Sequence, residues 1–166
     1  MGKDPVRFGD LVDSASQNEY GRKLLENIAS TSNRKLSDYV DNVRVVDGDS
    51  QFYLSMDGRL TIDLSKDTLL KGEDWAFRAG SHEFGHALKF DKIKNSKFNG
   101  KNGAAWDYTT AKSRRFGSNY YSWEEAVVDR YARMRVRNSG TSVSNDLLKH
   151  MVDYEKYWRA KYRSTK

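Results

Sequence analysis

The chain has 166 residues, 37% of them apolar and 13% aromatic, with one proline, a composition that supports one folded domain with a real core and excludes intrinsic disorder. It has no cysteine, so it forms no disulfides, and any metal it holds takes nitrogen and oxygen donors. The net charge of +6 gives a basic surface that either aids solubility in general or attracts acidic partners.

Residues 1–16 are too mixed to assign, and they show neither a signal-peptide core nor the serine or threonine of a myristoylation signal. Over residues 17–30, Tyr20, Leu24, Leu25 and Ile28 recur at helical spacing, which predicts an amphipathic helix packed on a sheet. Gly21 weakens that helix intrinsically. After the polar link Thr31-Ser32-Asn33, Val43, Val45 and Val46 predict a strand that closes at Asp47-Gly48-Asp49. Residues 51–56 and 59–64 then read as a hairpin, and side-chain alternation sets its register. A two-residue Asp57-Gly58 loop would oppose Leu54 to Thr61 and Phe52 to Asp63, mixing apolar and polar side chains on one face. A three-residue loop, Met56-Asp57-Gly58 with Gly58 left-handed, opposes Leu54 to Leu60 and Phe52 to Ile62. The second register gives one apolar face and is the one expected, with Tyr53, Ser55, Arg59, Thr61 and Asp63 on the other.

Residues 78–90 contain His82-Glu83-Phe84-Gly85-His86, the H-E-x-x-H pattern. On a helix, positions i and i+4 lie one above the other, so two imidazoles can converge on one metal ion. Neutral imidazole suits zinc, and a catalytic zinc takes about three protein ligands and a water. Glu83, beside the first histidine, is the candidate general base on that water. Phe77, Gly80, Ser81, Phe84, Ala87 and Leu88, away from the ligand face, are apolar or small, as a helix packed behind a site requires. Gly85 costs such a helix about 1 kcal/mol relative to alanine and marks a close approach by a neighbouring segment.

The third ligand lies elsewhere. The metzincin extension would need a glycine and a histidine where the chain has Lys89 and Lys92, and His150 falls in an amphipathic helical stretch where it reads as an ordinary surface residue. The best candidate is in Ser122-Trp123-Glu124-Glu125-Ala126-Val127-Val128-Asp129. Glu125 and Asp129 share a helix face, so Glu125 could complete the coordination sphere and Asp129 could accept the second N–H of a ligating histidine. Ser122 and Glu125 also fit a capping box, in which case Glu124 is the alternative ligand. Between the two stretches, residues 91–121 are glycine-rich and basic and read as a lid, a substrate-selecting loop or a disordered link. Lys92, Lys94 and Lys97 there, with Arg130, Arg133, Arg135 and Arg137 after Glu125, would bias a cleft toward acidic partners. Tyr120 or Tyr121 could donate to the oxyanion of a tetrahedral intermediate; packing is the plainer role. Asn138-Ser139-Gly140 marks a helix stop, and residues 144–162 predict a last helix with a core stripe of tyrosine and tryptophan.

H-E-x-x-H followed by E-x-x-x-D on a later helix resembles the gluzincin arrangement of the thermolysin type, carried here by His82, Glu83, His86, Glu125 and Asp129. The order of parts over residues 17–137 more narrowly resembles bacterial effector and toxin zincins, such as the NleD-like secreted proteases and the zincin domains of polymorphic toxins. The chain departs from the NleD-like pattern at Tyr131-Ala132-Arg133-Met134-Arg135, which lacks a Glu-Asn pair. The resemblance implies a single α+β zincin-like domain over residues 1–166, with a short antiparallel sheet against helices and the metal between two of them. It implies a zinc endopeptidase with His82, His86 and Glu125 on Zn2+, Glu83 as base, and a strand before the H-E-x-x-H helix whose edge accepts an extended peptide; the equal alternative for that strand is an ordinary edge protected by Arg59 and Asp63. It further implies a protein that is secreted or delivered into a target cell, a protein or peptide substrate, and a cognate inhibitor or immunity protein; the basic charge points to acidic character in that substrate, and the lack of a long apolar run to a soluble chain. No membrane span is expected, and nucleic acid is not an expected partner. The alternative is a non-catalytic basic binding module with a structural metal site or none.

Overall fold

The computed structural model of the chain describes residues 6–94 and 120–164. Helix α1 (Ser14–Ser30) leads to strands β1 (Asn42–Val46), β2 (Gln51–Leu54) and β3 (Leu60–Ser65). Then come the short helix α2 (Lys66–Leu70), the long helix α3 (Glu73–Lys94), α4 (Tyr120–Asn138) and α5 (Asn145–Ser164). The described residues are thus α+β, as expected. They cluster into two units, Met1–Phe84 and Gly85–Lys166, with the boundary inside α3. Among the described residues no helix is long and apolar enough to cross a membrane.

The first unit is α1 laid on a three-stranded sheet. Asp13 accepts a bond from the Ser16 amide at 2.8 Å and so caps α1, which satisfies one of the amides left open at a helix start. Gly21 lets the helix approach closely: a Cβ there would stand 3.2 Å from Leu64 Cδ1 and 3.2 Å from Val45 Cγ2. The residue that weakens the helix intrinsically is therefore the one that seats it. Leu25, Ile28, Ile62 and Leu64 are fully buried in this core.

The hairpin takes the three-residue loop. Phe52 pairs with Ile62 and Leu54 with Leu60, and Gly58 has φ of 80°. The sheet is mixed, however, with the order β1-β3-β2. β2 and β3 are antiparallel, as expected, whereas β1 runs parallel to β3. The link from β1 to β2 must cross one strand, about 10 Å at two inter-strand spacings, and four linking residues reach about 13 Å. Ser50, in that link, accepts the Ser65 amide at 2.8 Å at the end of β3.

This order corrects two expectations. β3 is the central strand, paired on both sides, so it has no open edge for a peptide, and it is not an ordinary edge strand either. Its second face is buried too: Thr61 and Asp63 are 2% and 3% exposed. Asp63 is satisfied by an array of donors. Arg44 donates through Nε to Oδ1 and through NH2 to Oδ2, each at 3.0 Å, and Tyr53 and Gln51 donate at 3.3 and 3.4 Å. The bonds to Asp63 hold the Arg44 guanidinium above its usual pKa, while burial and then the Asp63 charge push the Tyr53 phenol up.

In the second unit α4 and α5 form a hairpin. α4 stops at Asn138 and Gly140 takes φ of 76°, while the Leu147 amide donates to Ser144 Oγ at 3.3 Å at the start of α5. Val136, Leu147 and Met151 are buried, and Glu155 joins the helices by accepting from Arg133 at 3.0 Å and Arg159 at 2.9 Å.

Arg44→Ala should lower unfolding stability by about 1–3 kcal/mol, because it leaves a buried carboxylate with two weak donors. Asp63→Ala should cost less, since the half-exposed Arg44 can return to water. Urea denaturation of both variants checks the order; a milder loss in Arg44→Ala contradicts it.

Candidate metal centre

Helix α3 carries the H-E-x-x-H residues with hardly any exposure. Residues 79–85 are all buried, with His82 and Glu83 each 6% exposed and Phe84 fully buried. The expected apolar back of the helix is present, and the polar face opposite it is also withdrawn from water. Buried imidazole and carboxylate groups are costly unless they meet partners of suitable charge.

Those partners come from α4. Glu124 and Glu125 are 2% and 6% exposed. His86 Nε2 lies 2.9 Å from Glu125 Oε1, and His86 Nδ1 lies 3.1 Å from Glu124 Oε2. Successive residues on a helix project about 100° apart, so adjacent glutamates can straddle one imidazole ring. His82, His86 and Glu125 each offer one ligand atom, and these atoms lie within 4.8 Å of one another. On α3, Glu83 Oε1 stands 4.0 Å from His82 Nε2.

The donor set fits a divalent cation. Ligand atoms about 2.0–2.1 Å from a tetrahedral ion are roughly 3.3 Å apart, between the 2.9 Å separating His86 Nε2 from Glu125 Oε1 and the 4.8 Å limit of the cluster. Two imidazoles and a carboxylate are the nitrogen and oxygen donors that a cysteine-free chain can provide, and they leave a fourth position for water. Four buried acids, Glu83, Glu124, Glu125 and Asp129, belong to these two helix segments, an acid-rich setting that a cation would suit.

The structure separates the two glutamate candidates. Glu125 lies on the Nε2 side of His86, and Glu124 lies on the Nδ1 side, where it can accept the ring N–H and fix the tautomer. Sequence reasoning gave that orienting role to Asp129; on His86 the acid is Glu124. The sequence signal for this arrangement is the Glu-Glu pair itself, two adjacent acids that can flank one ring. Ser122 lies inside α4, which begins at Tyr120, so the capping box that would have claimed Glu125 does not form. His150 stacks on Tyr154 with centroids 5.5 Å apart and stands outside the metal cluster found among the described residues. The Tyr121 ring packs edge-on against Trp158 at 5.4 Å, the plainer of its two expected roles. The Tyr120 side chain and residues 95–119, where the lid and most of the basic link were expected, lie outside the described residues.

Gly85 has the expected close neighbour. A Cβ at Gly85 would stand 3.0 Å from Val128 Cγ1 and 3.2 Å from Tyr131 Cδ1, so this part of α3 runs against α4 with no room for a side chain.

No protein-family model matches the chain, and neither does any curated protein or solved structure.

Gly85→Leu should lower stability by about 1–3 kcal/mol through overpacking, outweighing the roughly 1 kcal/mol that leucine gains in helix propensity, and should weaken metal binding by moving Glu125 away from His86. Thermal unfolding and a zinc titration read both effects, and an equally stable variant with unchanged affinity would contradict the close seam.

Proposed function

We propose that this protein is a zinc-dependent endopeptidase of the H-E-x-x-H type. The observation that carries the reading is the setting of His86, with Glu125 at 2.9 Å from Nε2, Glu124 at 3.1 Å from Nδ1 and His82 in the same ligand cluster. His82, His86 and Glu125 are the residues that would hold the ion. Bound there, zinc supplies Lewis acidity, lowering the pKa of a water to about 7 and polarising the substrate carbonyl.

The chain's own residues perform the rest. Glu124 holds the Nδ1 proton of His86, which leaves the Nε2 lone pair free for coordination. Glu83, 4.0 Å from His82 Nε2, accepts a proton from the attacking water and passes it to the departing amine nitrogen. Burial of His82, Glu83, Glu124 and Glu125, with His86 partly exposed, limits bulk water and strengthens each charge interaction.

The choice of a peptide bond rests on the resemblance to gluzincins, and the resemblance to effector and toxin zincins points to a protein delivered into another cell and opposed by an inhibitor or immunity protein. The net charge of +6 favours a substrate with acidic segments.

Elemental mass spectrometry after dialysis should find one zinc per chain, lost in Glu125→Ala. Glu124→Gln should retain zinc but bind it about 10–100-fold more weakly, the usual effect of losing an orienting partner. Glu83→Gln should keep its zinc and lose about 10²–10⁴ of its turnover on a peptide library; a zinc-loaded Glu83→Gln protein with full activity sinks the mechanism. A parent protein that takes up no zinc when zinc is supplied would favour the basic binding module instead.

A further inference from the structure

The α4–α5 hairpin carries a groove on the side of α4 turned away from Glu125. Trp123, Val127 and Arg130 line it from α4, and Arg159, Tyr162 and Arg163 line it from α5, around a volume of about 360 Å³. That lies at the small end of the roughly 300–1,000 Å³ range of ligand pockets. With about 100° between successive helical residues, positions 123, 127 and 130 form one stripe, roughly 160° around the helix from Glu125. The groove is thus distinct from the metal centre although both use the same helix.

Its charge is one-sided. Arg159 donates to Glu155 Oε1 through Nε at 3.1 Å and NH2 at 2.9 Å, and Arg133 holds the other oxygen of that carboxylate at 3.0 Å. Among the described residues, Arg130 and Arg163 take part in no ion pair. Two guanidiniums without an acid therefore border a groove whose walls include an indole and a phenol. Lys89 lies over the Trp123 ring, 5.3 Å from its centroid, which adds positive charge nearby.

We propose that this groove binds a phosphate monoester carried on an aromatic group. A phosphate monoester has a charge of about −1.5 to −2 near pH 7, which matches two uncompensated guanidiniums better than a single carboxylate does. The planar guanidinium fork engages phosphate oxygens in pairs, which an ammonium group cannot do. Trp123 and Tyr162 give a flat apolar body surfaces to lie against. A nucleoside monophosphate and a phosphotyrosine both present this chemistry.

Isothermal titration calorimetry with phenyl phosphate, inorganic phosphate and benzoate tests the proposal. Phenyl phosphate should bind at least about tenfold more tightly than either of the others, because each of them has only half of the recognised chemistry. The Arg130→Gln/Arg163→Gln variant, with its helix content verified by circular dichroism, should lose at least about tenfold in affinity. Glu125→Ala should bind phenyl phosphate as the parent does. Equal binding of phenyl phosphate and inorganic phosphate, or binding insensitive to the arginine substitutions, would overturn the proposal. Binding lost in Glu125→Ala would also overturn it, since the probe would then sit at the metal centre. Adenosine monophosphate and phosphotyrosine amide, titrated in parallel, identify the source by which binds more tightly.

Discussion

The imidazole of His86 has a carboxylate at each ring nitrogen, and the candidate site depends on that arrangement. Two adjacent glutamates on α4 can flank one ring only if the α4 backbone comes close to α3. Gly85 permits the approach, because the space a side chain would fill is taken by Val128 and Tyr131. The helix sacrifices intrinsic propensity at this position, and the site gains a histidine with a carboxylate oxygen within 3.1 Å of each ring nitrogen. A ligand held in this way loses little further freedom when an ion binds.

The second constraint is burial. A helix with apolar groups on all sides is simply interior, but α3 buries His82 and Glu83 as well as Phe84 and Ala87. Such polar groups raise the energy of the folded chain unless their charges are answered. Glu83 near His82, with Glu124 and Glu125 near His86, supplies part of the answer, and a divalent cation is the partner that the proposed function would add. On the sheet, Asp63 follows the same rule with a different partner: Arg44, Tyr53 and Gln51 surround it, and no ion is called for. Two buried acid clusters therefore differ in kind. One is closed by an arginine, and the other combines imidazoles and carboxylates at distances suited to coordination.

The strand order also limits how a substrate could approach. With β3 between β1 and β2, the free edges of this sheet belong to β1 and β2. On β1 the Val45 amide is already taken by Asn18 Oδ1 at 2.8 Å, so α1 occupies part of that edge. This leaves less open backbone for strand addition than an exposed strand would offer.

The parts legible in the sequence were those set by short-range geometry. The spacing of His82 and His86 is one helical turn, a distance that local hydrogen bonding determines on its own. The hairpin register followed from the period of two and from Gly58, since only one pairing put Phe52, Leu54, Leu60 and Ile62 on a common face. The position of β1 was not legible, because a four-residue link is long enough either to turn back beside β1 or to cross an intervening strand. Nor was the division of roles between Glu124 and Glu125. They are neighbours in sequence but project about 100° apart, and only the rotation of α4 about its axis decides which one meets which nitrogen of His86. By itself the sequence determined the chemistry available on α3, because that chemistry lies within one turn of one helix. The tertiary structure alone decided which acid stands at which nitrogen of His86, because no local rule links residues 38 positions apart until packing brings them together.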